Sequence, residues 1–103
     1  MSAVFLSDLV AAAPPPPTGM TSRKIFEDEQ VRTIVFGFAA GAELPPHVAP
    51  RTVMLQFLQG EAAVGIGDET HEVRAGHWLH LPAGVKHSLA ARSPTVMLLL
   101  MLK

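Results

Sequence analysis

From Thr21 onward the chain never runs far without a residue that turns the backbone. Such residues stand at Gly41, Pro45 and Pro46, Pro50, Gly60, Gly67 and Asp68, Gly76, Pro82 to Gly84, and Ser93 and Pro94. Glycine and proline punctuate local structure because one reaches backbone angles closed to other residues and the other has no amide hydrogen to donate. The apolar runs left between them are of strand length, not helix length. Val31 to Phe38 (VRTIVFGF) alternates as a half-buried strand must, with Ile34, Phe36 and Phe38 on one face. Short strands with regular turns predict an all-β sandwich or barrel. The lack of long helical stretches after residue 20 excludes a doubly wound α/β fold. An antiparallel jelly roll is the architecture expected.

Two of the expected strands are apolar on both faces. In Val53 to Leu58, Val53, Leu55 and Phe57 point one way while Met54, Gln56 and Leu58 point the other. The last run, Val96 to Leu102 (VMLLLML), has no polar face at all. A strand of that kind has to bury both sides. One side fills a barrel, and the other, left open, would be an aggregation hazard. A homodimer packed through an outer sheet face is therefore expected. The alternative is that the N-terminal arm folds over that face within one chain.

A chain of 103 residues is one domain. The division expected is an N-terminal arm and proline-rich linker over residues 1–20 and a barrel domain over 21–103. In Met1 to Ala13 (MSAVFLSDLVAAA) no basic residue precedes the apolar stretch, and Asp8 interrupts it. That reads as a short amphipathic helix or arm, capped by Ser7, and not as a secretion signal. Pro14 to Pro17 form a stiff spacer. Eight basic residues stand against 9 acidic ones, spread without a stripe or charged tail. Nucleic acid and anionic membranes are thereby excluded as expected partners. Absence of cysteine excludes disulfides, thiolate metal sites and cysteine nucleophiles, and fits a cytoplasmic protein. The apolar run at the C-terminus is too short to span a bilayer.

Chemistry-bearing residues concentrate between Gly41 and Ala91. Gly41 is followed after five residues by His47, and that stretch closes at Gly60. Downstream, Gly76, Pro82, Gly84 and His87 recur at fixed spacing. This pair of signatures resembles the two boxes of the cupin superfamily, G-x5-H-x-H-x3-4-E-x6-G and G-x5-P-x-G-x2-H-x3-N. The resemblance implies a small jelly-roll barrel (a double-stranded β-helix) and, in typical members, a metal held by three histidines and a glutamate. Strand parity is the reason for H-x-H, since residues two apart project from one face. Here only His47 and His87 fill ligand positions. Ala49 stands where the second histidine would be, Val53 where the glutamate would be, and Ala91 where the asparagine would be.

Those losses set the functional alternatives. Catalytic metal centres generally keep three protein ligands and an open position. The missing carboxylate also removes the charge that would compensate a dication in a low-dielectric cavity. A metal reading survives as a site of His47 and His87 completed by waters, with His80 as the candidate third ligand beside Trp78; His77 has the opposite parity. Imidazole chemistry suits zinc, iron, copper or nickel, and the resemblance adds manganese. In the competing reading the pocket is metal-free. Ala49, Val53, Leu55, Phe57 and Leu99 line an apolar cavity, and the two histidines anchor a small-molecule ligand, as in a sensor or accessory protein. A third use of the same pair is general acid–base catalysis, which here lacks a carboxylate to orient either imidazole. His71 reads as a solvated hairpin residue, and Arg51 and Lys86 as surface charges. No nucleophile elbow, phosphate-binding glycine loop or H-E-x-x-H is present. The sequence thus predicts a histidine-bearing apolar pocket in a small cupin whose activity it does not assign.

Overall fold

The computed structural model describes residues 3–103. Its strands are β1 (Met20–Glu27), β2 (Val31–Phe38), β3 (Glu43–Val48), β4 (Val53–Gln59), β5 (Glu61–Ile66), β6 (Glu69–Arg74), β7 (Trp78–Leu81), β8 (Lys86–Ala91) and β9 (Thr95–Leu102). All pairings are antiparallel. One sheet has the order β1-β2-β9-β4-β7 and the other the order β3-β8-β5-β6. This is the two-sheet jelly roll that the turn spacing predicts. Gly76 (φ 94°) and Gly84 (φ 86°), on either side of β7, take left-handed angles that a side chain would resist. Among the described residues no helix is long and apolar enough to cross a membrane.

The core lies between the sheets. Phe38, Leu55, Phe57 and Met97 from the larger sheet meet Val64 and Leu89 from the smaller one. Strand alternation makes the match, because Val53, Leu55 and Phe57 all point inward from β4 while Met97, Leu99 and Met101 do so from β9.

The N-terminal segment departs from the helix that its sequence allows. Among its described residues only a 3-10 turn forms, at Val10–Ala12. The Ala11 amide donates to the Asp8 carboxylate at 3.2 Å, so Asp8 and not Ser7 serves the turn. Pro14 stops its continuation, having no amide hydrogen and restricting the residue before it. The turn and the residue after it lie flat on the barrel. Ala13 is buried with Val35 and Val96, and Leu9, Val10 and Leu98 pack around them. Gly37 makes the approach possible, because a Cβ there would run into the Ala13 carbonyl and Pro14. The arm therefore covers the β2–β9 part of the outer face within one chain. On the outer side of β9 it covers Val96 and Leu98, while Leu100 stays half-buried and Leu102 exposed.

A carboxylate ties together neighbouring ends of β1, β2 and β9. Glu27, at the end of β1, accepts from Lys24 at 2.8 Å, from the Arg32 guanidinium at 2.9 and 3.0 Å and pairs with Lys103 at 2.6 Å. Lys103 first, then Lys24 and Arg32, hold its carboxyl far below the ordinary value of 4.5. A carboxyl whose folded-state pKa is depressed stabilises the fold above its unfolded value, and loses that contribution as pH falls through the folded one. Glu27→Gln should therefore unfold at lower denaturant concentration than the parent at neutral pH. The gap should begin to close as pH falls below the ordinary value of 4.5. Denaturant titrations of both proteins at a series of pH values check this; a gap that widens on acidification contradicts it.

Candidate functional site

His47 and His87 sit directly opposite each other on neighbouring strands β3 and β8. Their meeting depends on an irregularity. The register of β3 shifts between Leu44 and His47, across Pro45 and Pro46. Neither proline can donate to a ladder, and β3 is an edge strand, where prolines and bulges are tolerated. In a regular strand Leu44 and His47, three residues apart, would face opposite sides. Here Leu44 still pairs with Leu89 while His47 pairs with His87, so both turn inward.

The two imidazoles lie 4.2 Å apart between ring centres, with their planes 61° apart. His47 Nδ1 is 2.9 Å from the Pro45 carbonyl oxygen, and His87 Nδ1 is 3.0 Å from that of Val85. A carbonyl oxygen only accepts, so each Nδ1 carries a hydrogen and donates it. In the neutral ring the lone pair then belongs to Nε2. The orienting partner that the sequence lacks in carboxylate form is thus supplied by backbone. His87 is buried, at 8% exposure, whereas His47 is exposed, which puts His47 at the mouth.

Behind the pair opens a cavity of about 360 Å³. Phe36 comes from β2, Leu55 from β4, Met97 and Leu99 from β9, and Leu44 and Leu89 from the smaller sheet. Ser88 is another polar residue at its edge, and among the described residues no Asp, Glu, Lys or Arg lines it.

Of the residues expected to form the pocket, Leu55 and Leu99 line the cavity. Val53 and Phe57 share their inward face but are core residues, exposed by 2% and 0%. Ala49 packs against that core without lining the cavity. His80 is elsewhere. β7 pairs with β4 so that His80 lies opposite Met54 and Trp78 opposite Gln56. Because Leu55 points inward, those partners point out. His80 and Trp78 stack on the outer face, 6.4 Å between ring centres, and both are exposed. Both the third-ligand role expected of His80 and its place in the pocket beside Trp78 are corrected by the parity of β7. His77 is exposed in the turn before that strand, and His71 lies in the β5–β6 hairpin beside Glu69. Phe36 and Met97 share strand parity with residues that the sequence places inside. Leu44 is hidden from such a reading by the bulge, which has no signature beyond the two prolines.

Among the described residues no three His, Cys, Asp or Glu side chains come together as a metal-holding group. Two imidazoles supply half of a tetrahedral set, and Ala49 and Val53, which occupy the positions of the other donors in the resemblance, have no donor atom to offer. These residues do not fit a resident catalytic metal.

A family model described as Cupin domain matches residues 34–103. No curated protein matches the chain. Among solved structures, a conserved protein of unknown function from Streptococcus pyogenes is 29% identical, with a TM-score of 0.88 over 100% of this chain and 90% of that one. A protein from Thermus thermophilus is 24% identical, with a TM-score of 0.83 over 94% of this chain and 95% of that one. A cupin superfamily protein from Desulfitobacterium hafniense is also 24% identical, with a TM-score of 0.77, covering 81% of this chain and 76% of that one. The last two share the fold.

Proposed function

Because this chain belongs to the cupin domain family, we propose that it is a binding module whose cavity takes a small, largely apolar organic molecule anchored by His47 and His87. The observation that carries this reading is the contrast within one site. An apolar cavity of about 360 Å³, in the size range of small-molecule pockets, meets two imidazoles whose Nε2 lone pairs are not used by the backbone carbonyls, with Ser88 at its edge. Backbone carbonyls fix both rings, so the anchor is preorganised and little side-chain entropy is lost on binding.

A second reading has its own support. An imidazole that donates Nδ1–H to a carbonyl is also how protein histidines are held for metal ligation. A zinc, manganese, iron, copper or nickel ion bound loosely by the two Nε2 atoms and water uses the same pair. The missing carboxylate argues that such binding is weak.

Elemental analysis of untagged protein, with and without prior incubation in those metals, separates the readings beside a His47→Ala, His87→Ala variant. The expected result is substoichiometric metal in both proteins. The variant should fold at a cost of no more than about 2 kcal/mol, because one histidine is exposed and neither is central to the core. Near-stoichiometric metal that disappears in the variant would overturn the first reading in favour of the second.

A further inference from the structure

Val35, Val96 and Leu98 lie under the N-terminal arm, and the rest of that outer sheet face is open. Strand pairing defines its outward rows. Thr33, Leu100, Met54 and His80 stand side by side across β2, β9, β4 and β7, and Leu98, Gln56 and Trp78 form the row beside them. Val31 and Leu102 make a third, shorter row, and Phe26 on β1 extends the first beyond Thr33. Leu102, Phe26 and Trp78 are exposed, Trp78 by 59%. We propose that this face docks a second copy of the chain, in a two-fold dimer built on Trp78, Met54 and Leu100.

Charge selects the occupant. None of these outward residues is Asp, Glu, Lys or Arg, so the face has nothing to offer a charged peptide or an anionic membrane. Arg23, paired with Val35, marks its border on β1. The polar groups within it are the Thr33 hydroxyl, the Gln56 amide and the His80 imidazole, each of which both donates and accepts hydrogen bonds. A copy of the same face can therefore satisfy them, and a two-fold axis sets no like charges against each other. A layer of lipid tails would leave all three unpaired. Size points the same way. Four strands about 4.8 Å apart and three rows about 7 Å apart make a footprint of roughly 20 by 20 Å. Over protruding side chains that is on the order of 500 Å² of accessible surface, which is about what each partner contributes at the small end of specific interfaces. Trp78, stacked on His80 at 6.4 Å between ring centres, is the large aromatic anchor on which an interface of that size depends.

The chain has one tryptophan and no tyrosine, so fluorescence reads this face directly. Sedimentation equilibrium of the full chain should show the mass rising with concentration from 11.0 kDa to twice that value, with a dissociation constant of about 100 µM or tighter. Over the same range the Trp78 emission should move to shorter wavelength as water leaves the ring. Trp78→Lys and Gln56→Lys change exposed residues, so both variants should keep the circular dichroism of the parent. Each should weaken the dimer at least about tenfold. Phe5→Ser changes a still more exposed ring on the arm, outside the face, and should leave association as it was. A chain that stays monomeric at about 1 mM, or a dimer that either lysine leaves untouched, overturns the proposal. So does an equal loss of association in Phe5→Ser, which would mean non-specific adhesion. A monomer whose Trp78 emission shifts on phosphatidylcholine vesicles would overturn it in favour of a lipid surface.

Discussion

Truncating Phe57 to alanine should cost the barrel about 3–5 kcal/mol, the range for a fully buried aromatic ring. Domains of this size are held by about 5–15 kcal/mol, so a single ring carries a large share of the total. Phe57 has no exposed surface and sits on β4 opposite Met97, inside the main core. Its backbone also holds the turn into β7: its amide donates to the His77 carbonyl at 3.0 Å, and its carbonyl accepts from Gly76 at 2.8 Å. Alanine keeps those bonds and removes the ring, so the loss reports packing alone. Phe57→Asp should leave no folded protein, because an uncompensated carboxylate would replace the ring. Urea denaturation followed by circular dichroism measures the first, and the absence of a cooperative transition measures the second. A loss under about 1 kcal/mol for the alanine variant would mean that the core lies elsewhere.

The second large effect belongs to a residue with no side chain. Gly37→Val should release the N-terminal arm. Valine suits a strand, and in an open position the change would be harmless or mildly favourable. At Gly37 the new Cβ would meet the Ala13 carbonyl and Pro14. Either the arm lifts, uncovering Val35 and Val96, or the barrel strains to keep it. Overpacking of this kind costs about 1–3 kcal/mol. The decisive comparison is a double-mutant cycle with a chain lacking residues 1–16, in which the same substitution should cost nothing. Limited proteolysis should also cut the arm of Gly37→Val faster than that of the parent. An equal cost with and without the arm would place the effect in β2 itself.

The legible parts of this molecule are those that obey strand parity. Inward Leu55 and Phe57, the turn glycines and the two signature histidines follow from alternation and spacing. Parity alone does not tell which face of β7 is inside, because Leu79 and Leu81 oppose Trp78 and His80 with no polar–apolar contrast to decide. Pairing with β4 decides it and sends His80 out. The bulge at Pro45 and Pro46 breaks the alternation on which such a reading depends. Alternation therefore gives no hint that Leu44, three residues before His47, stands beside it in the wall. The arm is one of two ways the sequence allows for covering the outer face. Gly37 is the residue that admits it over β2, and its role shows only once the Ala13 carbonyl is seen above it.

At the centre of the proposed function stand two imidazoles fixed by backbone, with Nε2 free at a cavity. Two-bond nitrogen–proton spectra of the five labelled histidines read that arrangement directly. The predicted result is that neutral His47 and His87 both carry the proton on Nδ1, and that their Nε2 signals move when a small apolar alcohol such as 3-phenylpropan-1-ol is added while those of His71, His77 and His80 stay still. Protonation of either ring at Nε2 in the neutral state, or binding that shifts His80 and leaves the pair untouched, would contradict it.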